Sequence, residues 1–115
     1  MQKNVLFVFN GDPMCFIHVL LTALDMQVRG HEGGIVVEGA ATKLLSELPK
    51  PDHALHQLWE KVKSANLVEG VCKACSQKMG TLQAAQEQGL TLLDEMNGHP
   101  SMAAYQEQGY TIITF

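Results

Sequence analysis

Val68–Gly80 reads VEGVCKACSQKMG. An apolar, β-prone run (Leu67, Val68, Val71) leads into Cys72, and a helix-compatible stretch carrying Cys75 closes at Gly80. The expectation is a strand that stops and a helix that starts, with one thiol at the junction and a second a turn further on. In an open parallel α/β sheet, ligands and chemistry collect beyond the carboxyl ends of the strands. A helix N-terminus there presents unpaired N–H groups and partial positive charge, which favour the thiolate form of cysteine.

Upstream of this stretch, strand and helix signals alternate. Lys3–Phe9 is continuously apolar after its first two residues, the mark of a strand buried on both faces. Asp12 and Pro13 offer an N-cap and a first-turn proline. Met14, Ile17, Val19, Leu20, Leu21, Leu24 and Val28 then recur at helical spacing until Gly30. Gly33–Glu38 is a second short strand, and a helix follows with Leu44, Leu45 and Leu48 along one face. Pro49 and Pro51 stop it, and Asp52 is expected to cap the next helix, where Leu55, Leu58, Trp59 and Val62 share a face.

Downstream, Leu82, Ala85 and Gln88 suggest a short helix ending at Gly89, and Leu90–Leu93 a fourth strand. Asn97–Ser101 is a turn, with Ser101 capping a helix that Gly109 ends. Tyr110–Phe115 is a fifth strand. This alternation predicts an α/β fold: a three-layer α/β/α sandwich around a mainly parallel five-stranded sheet, with right-handed crossovers and helices on both faces. The expected organisation is one domain over residues 1–115, and the Pro49–Pro51 elbow is its one candidate hinge.

The chain is 46% hydrophobic and 17% charged, a globular composition that argues against disorder. Its net charge of −4 and the lack of a basic cluster disfavour nucleic-acid or anionic-membrane partners. The low charged fraction hints that another subunit covers part of the surface. No secretory segment is read, since the apolar run Val5–Phe9 is too short, and Met14–Leu24 is far short of a membrane span. The expected location is the cytoplasm, where three cysteines are free thiols, metal ligands or redox groups rather than structural disulfides.

Three strand ends carry distinctive residues: Asn10, Gly11, Asp12 and Cys15 after the first; Cys72 and Cys75 after the third; Glu95, Met96, Asn97 and His99 after the fourth. In a parallel sheet all three groups face one edge, which leaves it open whether Cys15 converges with the other thiols. In C-x-x-C at a helix start, the first sulfur is held as thiolate, and the second can attack a disulfide or persulfide formed on the first. Against this stands packing of two small hydrophobes. A third reading is a metal tetrahedron of Cys15, Cys72, Cys75 and one histidine. His18, His31, His53 and His56 read as surface or capping residues, and His99 is the best placed of the five. Gly11 is read as serving turn geometry, and Trp59 as core or a subunit contact. The Asn10-Gly11-Asp12 loop has too few glycines for a dinucleotide or phosphate loop, so no cofactor is expected.

The opening strand and loop, the segment Val71–Gly80 and the closing run Glu107–Phe115 resemble the DsrE/DsrF-like family of small sulfur-relay proteins over nearly the whole chain. The resemblance implies a three-layer sandwich, assembly as trimers or hexamers, and protein sulfur donors and acceptors. Sulfurtransferase members hold a persulfide on a cysteine after the third strand, with a glycine further on. Cys72 and Gly80, eight positions apart, match that pattern, which carries the sulfur-accepting role to Cys72. Cys75 has no counterpart in those members; here it would resolve the persulfide, with Cys15 assisting from the neighbouring loop. The competing reading is a non-catalytic assembly or regulatory protein whose cysteines pack or sense oxidants.

Overall fold

A computed structural model describes residues 2–115. Five strands, β1 (Asn4–Val8), β2 (Ile35–Val37), β3 (Val68–Cys72), β4 (Leu92–Leu93) and β5 (Thr111–Thr114), form one sheet in the order β4-β3-β2-β1-β5. Every pairing is parallel. The helices are α1 (Pro13–Val28), α2 (His56–Ser64), α3 (Lys73–Lys78), α4 (Leu82–Glu87) and α5 (Met102–Glu107), with a 3₁₀ helix over Gly39–Ser46. The α/β sandwich expected from the alternation is therefore present.

The strand order explains how the layers fill. From β1 to β4 the chain steps steadily one way across the sheet, and right-handed crossovers put every intervening helix on one face. Only the step from β4 back to β5 reverses direction, which sends α5 to the opposite face. The core is divided accordingly. On the crowded face, Leu6, Val8, Ile35, Val37 and Val71 pack with Phe16, Leu20, Leu45, Trp59 and Ala85. On the other, Val5, Phe7 and Val36 are fully buried beneath Met102, Tyr105 and Tyr110.

Local chemistry sets most element ends as expected. The Asp12 side chain accepts the Met14 N–H at 2.9 Å and starts α1 ahead of Pro13. Ser101 accepts the Ala104 N–H at 3.1 Å and starts α5. Trp59 is fully buried against Phe16, so it belongs to the core.

Two expectations are corrected. Asp52 does not cap α2; that helix starts at His56, and the His53 ring accepts the Leu55 N–H at 3.0 Å ahead of it. Proline-rich turns occupy the intervening residues, closed by Lys50 N–H to Glu47 and His53 N–H to Lys50. The helix expected after β2 is present and winds as 3₁₀, with the Thr42 hydroxyl donating to the Gly39 carbonyl. Gly11 has no left-handed φ; a Cβ there would lie 2.7 Å from the Ala40 carbonyl oxygen, so close approach, not turn geometry, requires glycine.

Candidate functional site

Three neighbouring strands, β2, β3 and β4, deliver the site at their carboxyl ends. Cys72 ends β3 and is itself the N-cap of α3, its sulfur accepting the Cys75 N–H at 3.3 Å. Glu38 directly follows β2. Val37 pairs with Val71, so the next residues on the two strands, Glu38 and Cys72, lie side by side. A register shift between Ile35 and Val36 leaves Glu69 as an extra residue in β3. Without that bulge Val37 would face Gly70, and Cys72 would fall one position beyond Glu38.

His99 arrives from the loop after β4. Asn97 and Gly98 both have positive φ, 53° and 87°, and Met96 and His99 exchange backbone hydrogen bonds across them. Asn-Gly is the pair that a tight turn with two left-handed residues demands. The Gly98 carbonyl then accepts the Ala74 N–H at 2.9 Å, which clamps the turn onto the start of α3.

These elements bring four side chains together. Cys72 Sγ lies 3.1 Å from His99 Nδ1, and Cys75 Sγ lies 3.8 Å from the same nitrogen. Glu38 Oε1 stands 3.7 Å from it. One ligand atom from each of Glu38, Cys72, Cys75 and His99 falls within 4.8 Å of all the others. Cys72 is fully buried, whereas Cys75 and His99 are half-buried and form the open side of the cluster.

The electrostatics differ from the sequence expectation. Burial pushes the Cys72 thiol up to about 12; the Cys75 N–H draws it down, but the Cys75 thiol and Glu38 add to the rise. A helix of six residues beginning at Lys73 does not overcome desolvation of a sulfur with no solvent contact. The resting Cys72 is a protonated thiol rather than the thiolate that a helix start alone would suggest. Glu38 is also raised by burial, and the nearby His99 works against that rise.

Cys72 and Cys75 are thus neighbours, and Cys15 is not in their group. Cys15 lines a separate open depression of about 430 Å³ with Asn10, His18, Thr22 and Phe115, beyond β1 and β5. In the sheet β1 and β3 are separated by β2, about 10 Å at two strand spacings, and that keeps the thiols apart. The four side chains that the structure gathers as possible metal ligands include Glu38 in place of Cys15. Glu38 was legible in principle, because it is the first residue past the apolar run Ile35–Val37. The remaining histidines are elsewhere: the His31 ring faces the Asn4 amide and the His56 ring faces the Leu48 carbonyl. Glu95 stays outside the cluster, accepting the Ser101 N–H at 3.3 Å. No helix among the described residues is long and apolar enough to cross a membrane.

The fold is similar to that of a conserved protein of unknown function from Bacteroides thetaiotaomicron, with a TM-score of 0.72 at 17% identity, covering 99% of this chain and 95% of that one. In sequence the chain is 32% identical over 97 residues to an uncharacterized protein of Methanocaldococcus jannaschii, 84% of this chain and 77% of that protein. An uncharacterized protein of Archaeoglobus fulgidus is 39% identical over 41 residues, 36% of this chain and 67% of that protein. The model of the DsrE/DsrF-like family matches residues 3–115. With the all-parallel α/β sheet and the cysteine pair at its carboxyl edge, that match over almost the entire length means that the chain belongs to the DsrE/DsrF-like family.

Proposed function

We propose that the protein is a small cytoplasmic sulfur-relay protein, which holds persulfide sulfur at the Cys72–Cys75 pair and passes it between a protein donor and a protein acceptor. The observation that carries this reading is the approach of both sulfurs to one imidazole nitrogen, at 3.1 and 3.8 Å. A base in hydrogen-bond reach can take the proton that a buried thiol must lose before it attacks.

Exposure sets the order of events. Cys75, the more accessible thiol, meets the donor. Cys75 gives its proton to His99 Nδ1 and attacks the terminal sulfur of a donor persulfide; the new bond makes Cys75–S–SH, and the donor leaves as a thiolate that takes the proton back from His99. Cys72 then gives its proton to His99 Nδ1 and attacks the outer sulfur, freeing Cys75 as a thiolate. The sulfur ends on Cys72, the position the family pattern marks, and the same exchange run backwards returns it to the surface. No electrons are gained or lost overall. Cys15, in its separate depression, takes no part in these steps.

The test is intact-mass analysis of reduced, chelator-treated protein after incubation with a low-molecular-weight persulfide. A gain of one sulfur atom is expected, mapping to Cys72 and Cys75. In Cys72→Ser the added sulfur stays on Cys75. An unmodified wild-type protein, or a gain undiminished when both cysteines are replaced by serine, overturns the proposal.

The same reading includes assembly as a homo-oligomer, a trimer or hexamer. Met14, Leu21 and Val28 recur every seven residues along α1, with exposures of 79%, 46% and 85%. Such a stripe on a helix is suited to burial against another copy. Sedimentation analysis is expected to give a defined oligomer that Leu21→Glu dissociates. A monomer at all concentrations removes this part.

A further inference from the structure

We infer that Glu38, Cys72, Cys75 and His99 form a binding site for a thiophilic divalent cation of the zinc class. The donor set is two thiolates, one imidazole and one carboxylate, with the two sulfurs in C-x-x-C spacing, all of which are ordinary zinc ligands. In a tetrahedral site with zinc bonds of ~2.0–2.3 Å, neighbouring ligand atoms stand roughly 3.3–3.8 Å apart. The distances here from His99 Nδ1 are 3.1 Å to Cys72 Sγ, 3.8 Å to Cys75 Sγ and 3.7 Å to Glu38 Oε1. No pair among the four ligand atoms exceeds 4.8 Å. Closing them onto one ion asks for side-chain adjustments of about an ångström at most, rather than a rearrangement.

A second observation points to a cation independently of the sulfur atoms. The Glu38 side chain is only 13% exposed, and among the described residues its sole ionic partner is His99, with no lysine or arginine beside it. A carboxylate withdrawn from water without a cation is costly. A divalent ion between Glu38 and the two thiols offsets that cost. The frame is also fixed in advance. The Cys75 N–H is bonded to Cys72 Sγ, and the Gly98 carbonyl holds the His99 turn against Ala74. His99 is 39% exposed and Cys75 is half-buried, so the cation enters from the open side. Binding displaces the two thiol protons to solvent and involves no electron transfer. Three anionic ligands and a neutral imidazole leave the occupied site with one net negative charge.

The inference stands apart from the sulfur-relay reading, because the same thiols cannot ligate a cation and accept sulfur at once. Occupancy would therefore exclude sulfur loading.

The experiment is an anaerobic titration of reduced, chelator-stripped full-length protein with cobalt(II). One equivalent is expected to produce a near-ultraviolet thiolate-to-cobalt charge-transfer band with tetrahedral visible bands, and one equivalent of zinc(II) to bleach them. Glu38→Gln and Cys75→Ser, each checked for native circular dichroism, should weaken binding by at least the ~10–100-fold that loss of even an outer-sphere partner costs. Cys15→Ser should bind as the wild type does. Absence of a charge-transfer band, its survival in the Cys72→Ser/Cys75→Ser double variant, or its loss in Cys15→Ser overturns the site. The persulfide assay run in chelator separates the two readings. Sulfur gain without a cobalt band removes the cation site alone, and a cobalt band without sulfur gain removes the relay alone.

Discussion

Cys72 and Cys75 are three positions apart and chemically unequal. Burial lifts the Cys72 thiol to about 12, which keeps it protonated at neutral pH. In metal-free protein at neutral pH, iodoacetamide should therefore modify Cys75 and Cys15 well before Cys72, as read by peptide mass mapping. Equal rates at Cys72 and Cys75 would show that the buried, protonated thiol described above is wrong. Glu38 gives a prediction with the opposite visibility. Its folded-state pKa is raised, so the stability tied to its protonated form is fully present below the ordinary carboxyl range and is lost as pH rises through the folded value. Glu38→Gln should thus make the metal-free protein more stable than wild type at pH 7. The difference should vanish in acid. Urea denaturation at the two pH values measures it, and a less stable variant at pH 7 refutes the sign.

Two short devices at the element level position the site. The bulge at Glu69 advances β3 by one residue and sets Cys72 beside Glu38. The Asn97–Gly98 turn supplies His99. Gly98 has φ +87°, and a Cβ there would approach the Ala74 Cβ to 3.2 Å, so both conformation and space favour glycine. Gly98→Ala should cost about 1 kcal/mol or more in thermal or chemical denaturation. It should also lower the yield of sulfur on Cys72, because His99 no longer meets that thiol at hydrogen-bond distance. A variant with unchanged stability and unchanged sulfur loading would remove the turn from the mechanism.

At the scale of the whole molecule, the crowded face of the sheet is tied together by one polar side chain. Gln88 accepts the Trp59 indole N–H at 2.8 Å and the Lys63 ammonium at 3.0 Å, and its amide donates to the Leu45 and Ala84 carbonyls. It thereby joins α2, the 3₁₀ helix and the end of α4 over the buried Trp59. Gln88→Ala leaves the indole N–H of a fully buried tryptophan without a partner, which costs about 1–3 kcal/mol. Guanidinium denaturation should register that loss, with the persulfide yield at the distant carboxyl edge unaffected. The order β4-β3-β2-β1-β5 gathers three strand ends on one half of the edge and leaves Cys15 on the other.

Periodicity and local chemistry alone determined the strand and helix sequence of this chain. Continuous apolar runs such as Val5–Phe9 mark doubly buried strands, while Asp12-Pro13, Asn97-Gly98 and Ser101 carry their backbone consequences in their own covalent structure. The junction at Cys72 was legible for the same reason. Asp52 was misread because several polar residues compete to start a helix, and packing around Leu55 and Trp59 chose His56. Only the tertiary structure decided which chemistry meets at the edge. Strand order is set by the burial of whole faces, and a one-residue bulge in β3 has no local signature strong enough to read. Those two long-range choices put Glu38 and His99 beside the thiols, kept Cys15 away, and withdrew Cys72 from water, reversing the charge state that its place at a helix start suggested.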